Sequence, residues 1–149
     1  MAYESPSFYA TFPAATGLSQ YQFVTLSTNG LLIDPTTLGD AIGVLVSSGS
    51  TGSTWAGSTA GGLVQTVQLY GIAKLLTSST AITPGTRISA VTTGAEIGWA
   101  QSGADNAALF ILGYAVSQPN TTGGDSTGGI GAEIISVLLD RIGQGSTIA

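Results

Sequence analysis

Histidine and cysteine are absent from this 149-residue chain, and charge is scarce: three Lys or Arg stand against eight Asp or Glu. Each absence excludes something. Without histidine or cysteine there is no Ser-His-Asp or Cys-His catalytic arrangement, no imidazole or thiolate metal ligand, and no side chain whose ordinary pKa lies near neutrality. Without cysteine there are no disulfides, so stability rests on packing and backbone pairing, and the redox compartment stays open. The only cations are Lys74, Arg87 and Arg141, too few and too scattered to replace phosphate counterions, so direct nucleic-acid binding is not expected. A net charge of −5 likewise disfavours an anionic membrane surface. No apolar run reaches the roughly 20 residues of a transmembrane helix. Residues 1–12 show neither a basic segment nor an apolar core of the secretory type, so no signal peptide is expected.

What remains is rich in small and β-forming residues. Gly, Ser and Thr make up roughly two-fifths of the chain, against about a fifth in an average domain. The hydrophobic fraction of 43% is too high for a disordered chain and is enough to build one core. Phe23-Val24-Thr25-Leu26-Ser27 alternates as a strand, and Asn29-Gly30 predicts a two-residue type I′ hairpin turn into Leu31 to Asp34. Ile42 to Val46 reads as a third strand. Leu63 to Tyr70 alternates, with Leu63, Val67 and Leu69 on one face, and Gly71 reads as a bulge or bend before Ile72 to Leu76. Thr83-Pro84-Gly85-Thr86 has the composition of a type II turn. Strands are then expected at Arg87 to Val91, Glu96 to Gln101, Ala108 to Val116 and Glu133 to Leu139, with a turn at Thr93-Gly94. The stretch Leu38 to Ala41 could form one helical turn, and no amphipathic helix is evident.

Short strands every 8 to 15 residues predict an all-β compact domain, a β-barrel or sandwich, over 21–142. Residues 1–20 read as an extended N-terminal arm, because Pro6 and Pro13 oppose helix and sheet ladders. Residues 143–149 read as a polar tail. The arm carries Phe8, Tyr9 and Phe12, and the Ser/Thr/Gly-rich stretch 47–62 carries Trp55. These four aromatics either return to the domain's own core or anchor on a neighbouring subunit or protein. As a neighbour-binding arm, residues 1–12 are expected to be dispensable for folding.

No constellation for chemistry emerges. Lys74, the one lysine, has no serine at a motif spacing, and the eight carboxylates fall at turns, loops and strand starts rather than in a pair suited to glycoside hydrolysis. Gly123 to Gly129 holds one carboxylate, too few for a calcium loop. The Gly-rich stretches lack the lysine of a phosphate cradle. No catalytic, cofactor-binding or metal-binding residue is assigned, and catalysis is not expected.

The order of these segments resembles the small capsid cement, or decoration, proteins of tailed bacteriophages. The resemblance rests on Phe23 to Gly30, Ile42-Gly43-Val44, Val67 to Ala73, Ile82 to Ile88, Ile97-Gly98-Trp99-Ala100, Leu112 to Ala115 and Ile134 to Leu139, and spans roughly 21–139. It departs from the family pattern at Thr86, where an aspartate is usual, in the long 47–62 stretch and in the aromatic arm. The resemblance implies a β-tulip-like or related barrel. It also implies a homotrimer seated on the outside of an icosahedral capsid, with the major capsid protein and itself as partners and no cofactor, clamping adjoining capsomers. The rival expectation is a phage head-fibre or receptor-binding β-module, since Gly/Ser/Thr-rich loops also suit an exposed recognition tip.

Overall fold

The computed structural model describes residues 7–15, 17–36, 40–47, 63–77, 82–103, 110–119 and 133–144. The protein is all-β there, with no helix among the described residues. Nine strands form in chain order: β1 (Phe8–Ala14), β2 (Phe23–Leu26), β3 (Leu32–Ile33), β4 (Gly43–Leu45), β5 (Leu63–Thr77), β6 (Arg87–Ala90), β7 (Ala100–Ser102), β8 (Phe110–Ala115) and β9 (Glu133–Gln144). They make one sheet in the order β1-β3-β2-β4-β5-β9-β8-β6-β7. An additional β1–β5 pairing closes the first five strands on themselves. The other half runs outward from β5 through β9, β8 and β6 to β7. Thr77 at the end of β5 donates its hydroxyl to the Ala100 carbonyl at the start of β7, at 2.8 Å.

The 15-residue β5 belongs to both halves. Its first part, to Tyr70, pairs with β1, and from Gly71 onward it pairs with β9. Gly71 sits at φ +96, a conformation open to glycine at little steric cost, so the strand bends where it exchanges one partner for the other. Gln68, 4% exposed, donates its amide to the carbonyls of Tyr70 (3.2 Å) and Ile72 (3.0 Å) on either side of Gly71. The bend thus has its own internal clamp.

The segment expected to be a separate arm is extended, but Phe8 to Ala14 is paired residue by residue along β5. Pro13 is tolerated for a local reason. It lies opposite Val64. Two residues along β5, Thr66 turns its N–H and C=O toward Ser47 and Val46 on the β4 side. Groups two residues apart point the same way, so Val64 asks no N–H of Pro13. Residues 1–12 therefore include five sheet positions, and removing them would strip β5 of its neighbour. At the other end, β9 continues to Gln144, with Gly143 and Gln144 opposite Ile111 and Phe110. The expected tail at 143 begins inside a strand.

Two turns differ from the sequence reading and one agrees. At 28–30, Gly30 has φ +75 while Asn29 does not enter the positive region, and the bond from Gly30 N–H to Ser27 C=O (2.9 Å) closes a turn centred on Thr28 and Asn29. This is a three-residue loop with glycine in the left-handed position, not a type I′ pair. Residues 96–99 form a turn closed by Trp99 N–H to Glu96 C=O (2.9 Å), with Gly98 at φ +84, so the strand expected from Glu96 starts only at Ala100. The turn at 83–86 forms as expected, with Thr86 N–H on Thr83 C=O (3.0 Å) and Gly85 at φ +90. Leu38 and Gly39 lie outside the described residues.

The core has two parts. One gathers Ala14, Leu18, Val24, Leu32, Leu45 and Val67 inside the closed half. The other, larger part joins Phe23 and Val44 to Leu75, Ile88, Leu112, Ile135 and Val137 along the open half. Burying each such large side chain contributes about 1.5–3 kcal/mol. One buried group is unmatched: Ser89, 0% exposed, whose Oγ has no hydrogen-bond partner among the described residues. A desolvated hydroxyl without a partner costs about 1–3 kcal/mol. Ser89→Ala is expected to raise stability by about 1 kcal/mol, read as a higher denaturant midpoint at unchanged slope; a lower midpoint would reveal a partner for the hydroxyl.

Candidate interaction surface

Strand alternation decides which aromatics reach solvent. Along β5, Val67, Ala73 and Leu75 point inward, while Tyr70 (53% exposed) and Ile72 (47%) point outward. β1 carries its residues opposite these positions: Phe8 pairs with Tyr70 and Tyr9 with Gln68. Between those two pairs β1 advances one residue while β5 advances two. This bulge sets neighbours Phe8 and Tyr9 opposite Tyr70 and Gln68, two residues of one face of β5, and both aromatics are exposed, at 63% and 51%. Phe8, Tyr9, Tyr70 and Ile72 therefore form an apolar corner on the outside of the sheet at the β5 bend.

Phe12 behaves differently. It lies opposite Gln65, on the inward side, half-buried and packed against the cluster of the closed half. It leaves the set of interface candidates and joins the core, because two steps along a strand from Ala10 return the chain to the same face. Trp55 lies outside the described residues. Tyr70 and Ile72 carry no motif of their own in the sequence, although continuing the alternation of Thr66 and Gln68 places two apolar residues on the polar face.

The corner borders a wider outward surface. Cross-strand pairing runs Arg87–Tyr114–Leu138–Ile72 across β6, β8, β9 and β5, and Lys74 pairs with Ser136 in the next row. Ile134 and Val116 add exposed apolar area, at 48% and 45%. A patch of this kind marks contacts on soluble domains.

Features of a chemical site are sparse. No cluster of three or more Asp or Glu that could hold a metal occurs among the described residues. An apolar pocket lined by Phe23, Ile42, Leu69, Leu112 and Leu139 has a cavity volume of about 10 Å³, the size of a single water and far short of the roughly 300–1,000 Å³ of small-molecule sites. The buried polar side chains serve the fold: Gln22 donates to Asp34 (2.7 Å) and Gln65 accepts from Ser47, while the half-buried Gln101 reaches the Ala90 carbonyl (2.8 Å). No helix of the described residues is long and apolar enough to cross a membrane. The chain matches no family model and no curated protein.

Proposed function

We propose that this chain is a structural virion protein that binds the outside of an icosahedral phage capsid and stabilises contacts between capsomers. On this reading its partners are the major capsid protein and further copies of itself, as a homotrimer without cofactor. The observation that carries the reading is the outward corner of Phe8, Tyr9, Tyr70 and Ile72, an apolar contact surface built on paired strands in a chain without histidine or cysteine. Aromatics held on a sheet lose little entropy on docking, and many copies on one shell multiply a weak contact. The resemblance of the strand-and-turn order to capsid cement proteins supports the same reading.

Purified protein mixed with decoration-free heads is expected to co-sediment with them at a saturating stoichiometry in multiples of three per lattice position. Because Phe8 to Phe12 belongs to the sheet, side-chain replacement tests the corner better than truncation. The double variant Phe8→Ser/Tyr9→Ser is expected to keep its melting temperature within a few degrees and to bind heads at least about tenfold more weakly, since central interface aromatics are often worth more than 1 kcal/mol each. Undiminished binding by this variant would remove the corner from the interface. Indifference to heads together with binding to host-cell surfaces would favour a receptor-binding module.

A further inference from the structure

Strand β1 leaves part of one edge open. Along β5, Ala10 and Phe12 lie opposite Val67 and Gln65. The backbone groups of these four residues point at each other, because Thr66 between them is turned to the β4 side. Tyr9 and Thr11 therefore aim their N–H and C=O groups away from β5. Ala15 has the same parity, and its N–H reaches the Leu32 carbonyl at 2.9 Å, which places β3 on that outer edge. β3 pairs with β1 only at Ala14–Leu32, so it covers one end of the edge and stops. Two donors and two acceptors, on the exposed residues Tyr9 and Thr11, are left without a backbone partner among the described residues.

Nothing in the sequence blunts this stretch. Ser7 to Phe12 holds six residues with no charge, proline or glycine, the composition of a segment that pairs with other strands when its edge is open. We infer that β1 of one copy pairs antiparallel with β1 of a second copy through this edge, about a two-fold axis near Ala10. The edge is its own complement. With the two strands antiparallel, Tyr9 of each copy faces Thr11 of the other, and the four outward N–H groups meet the four outward C=O groups. Charge does not oppose the approach: the chain is −5, yet Ser7 to Ala15 carries none of it. Symmetry favours the same occupant. The contact is isologous, so both open edges disappear as it forms and association through them stops at two copies. Strand pairing uses backbone groups and leaves side chains on their own faces, so two corners of Phe8, Tyr9 and Tyr70 come to lie side by side on one continuous sheet. This two-fold contact is distinct from a threefold one and does not rest on the shell-binding reading.

Thr11→Pro is the discriminating variant. It removes an N–H that β5 does not use, at the parity where the native Pro13 already sits in β1. Sedimentation velocity across a concentration series is expected to show a dimer as the first association step of the unaltered protein, equally at roughly 50 mM and roughly 500 mM NaCl because the contact carries no charge. Thr11→Pro is expected to weaken that step at least about tenfold with a melting temperature within a few degrees, and Thr11→Val, which keeps the N–H, to leave it unchanged. Should Thr11→Pro not fold, hydrogen exchange on the unaltered protein carries the test: the Tyr9 and Thr11 amides are expected to exchange freely at dilution and to gain protection as the dimer forms. A monomer at every concentration, a dimer that a folded Thr11→Pro leaves intact, or protection of both amides already in the monomer would each overturn the inference. Head binding is read separately: a monomer that coats heads sinks this contact alone, and a dimer that ignores them sinks the shell reading alone.

Discussion

Gly113→Ala is expected to destabilise the domain by about 3 kcal/mol, toward the top of the range for overpacking a core. Gly113 lies in β8 with Ile88 of β6 on one side and Leu139 of β9 on the other. A Cβ placed there would stand 2.2 Å from the Leu138 carbonyl oxygen, 3.0 Å from its carbon and 3.1 Å from Val137 Cγ1. The first two are backbone atoms of the neighbouring strand, so no rotamer change clears them. β9 would have to move away from β8, loosening a ladder that runs from Ala115–Val137 to Phe110–Gln144. For a domain of this length the loss corresponds to a fall in melting temperature of about 6–12 °C. Gly85→Ala is the matched control: Gly85 has φ +90 but nothing within 4 Å of the added carbon, so it carries only the left-handed penalty of about 1–2 kcal/mol. Equal melting temperatures for the two variants would show that β9 yields to the methyl group.

Phe23→Ala is expected to cost about 4 kcal/mol, within the range for truncating a buried Phe. Phe23 is 1% exposed and stands where the closed and open halves meet. It pairs with Val44, donates its N–H to Gly98 (2.7 Å) and belongs to the larger core cluster. Its ring also lines the apolar pocket with Ile42, Leu69 and Leu112. Truncation therefore opens a cavity whose other walls are held by strands, so the site collapses poorly and the cavity penalty stays high. Against a total stability of about 5–15 kcal/mol, this consumes a large share. Guanidinium unfolding should show a much lower midpoint at unchanged slope. A loss below about 1.5 kcal/mol would mean that the walls close in behind the missing ring.

Legibility from sequence divides by element type rather than by half. Short elements with local turn chemistry were legible: Thr83-Pro84-Gly85-Thr86 makes its turn as composition dictates, and β2, β4, β6 and β8 fall within one or two residues of the alternating or apolar runs. Sequence and structure part where a local signal has two geometric solutions. Asn29-Gly30 suits both a two-residue and a three-residue hairpin loop, and the bond from Ser27 N–H to Leu31 C=O (2.8 Å) selects the longer one. Glu96 to Gly98 has strand-like residues, but Gly98 must pass close over Phe23, where a Cβ would sit 2.7 Å from its carbonyl oxygen. That contact turns the segment.

The candidate surface divides the same way. Phe8 and Tyr9 stand out in the sequence because aromatics in a proline-bearing segment need a place to pack, and Phe12 shares that signal. The β5 bulge separates them: strand parity sends Phe12 to the core, while the extra residue at the bulge lets two consecutive aromatics face outward. Tyr70, Ile72, Lys74 and Arg87 join them only through pairings between segments far apart in the chain.

Composition by itself determined that this chain folds as strands and turns, since β-branched and small residues alternate with glycine-marked reversals and no stretch carries helical periodicity. Composition also determined that it has no histidine or cysteine with which to handle protons, metals or thiols. Tertiary structure alone decided that the N-terminal segment is a sheet strand, that β5 serves two halves through a bend at Gly71, and that aromatics and cations share one outward face. The reason is physical: alternation and turn propensity act over a few residues, whereas register and partner choice depend on which distant strands supply matching hydrogen bonds and apolar area.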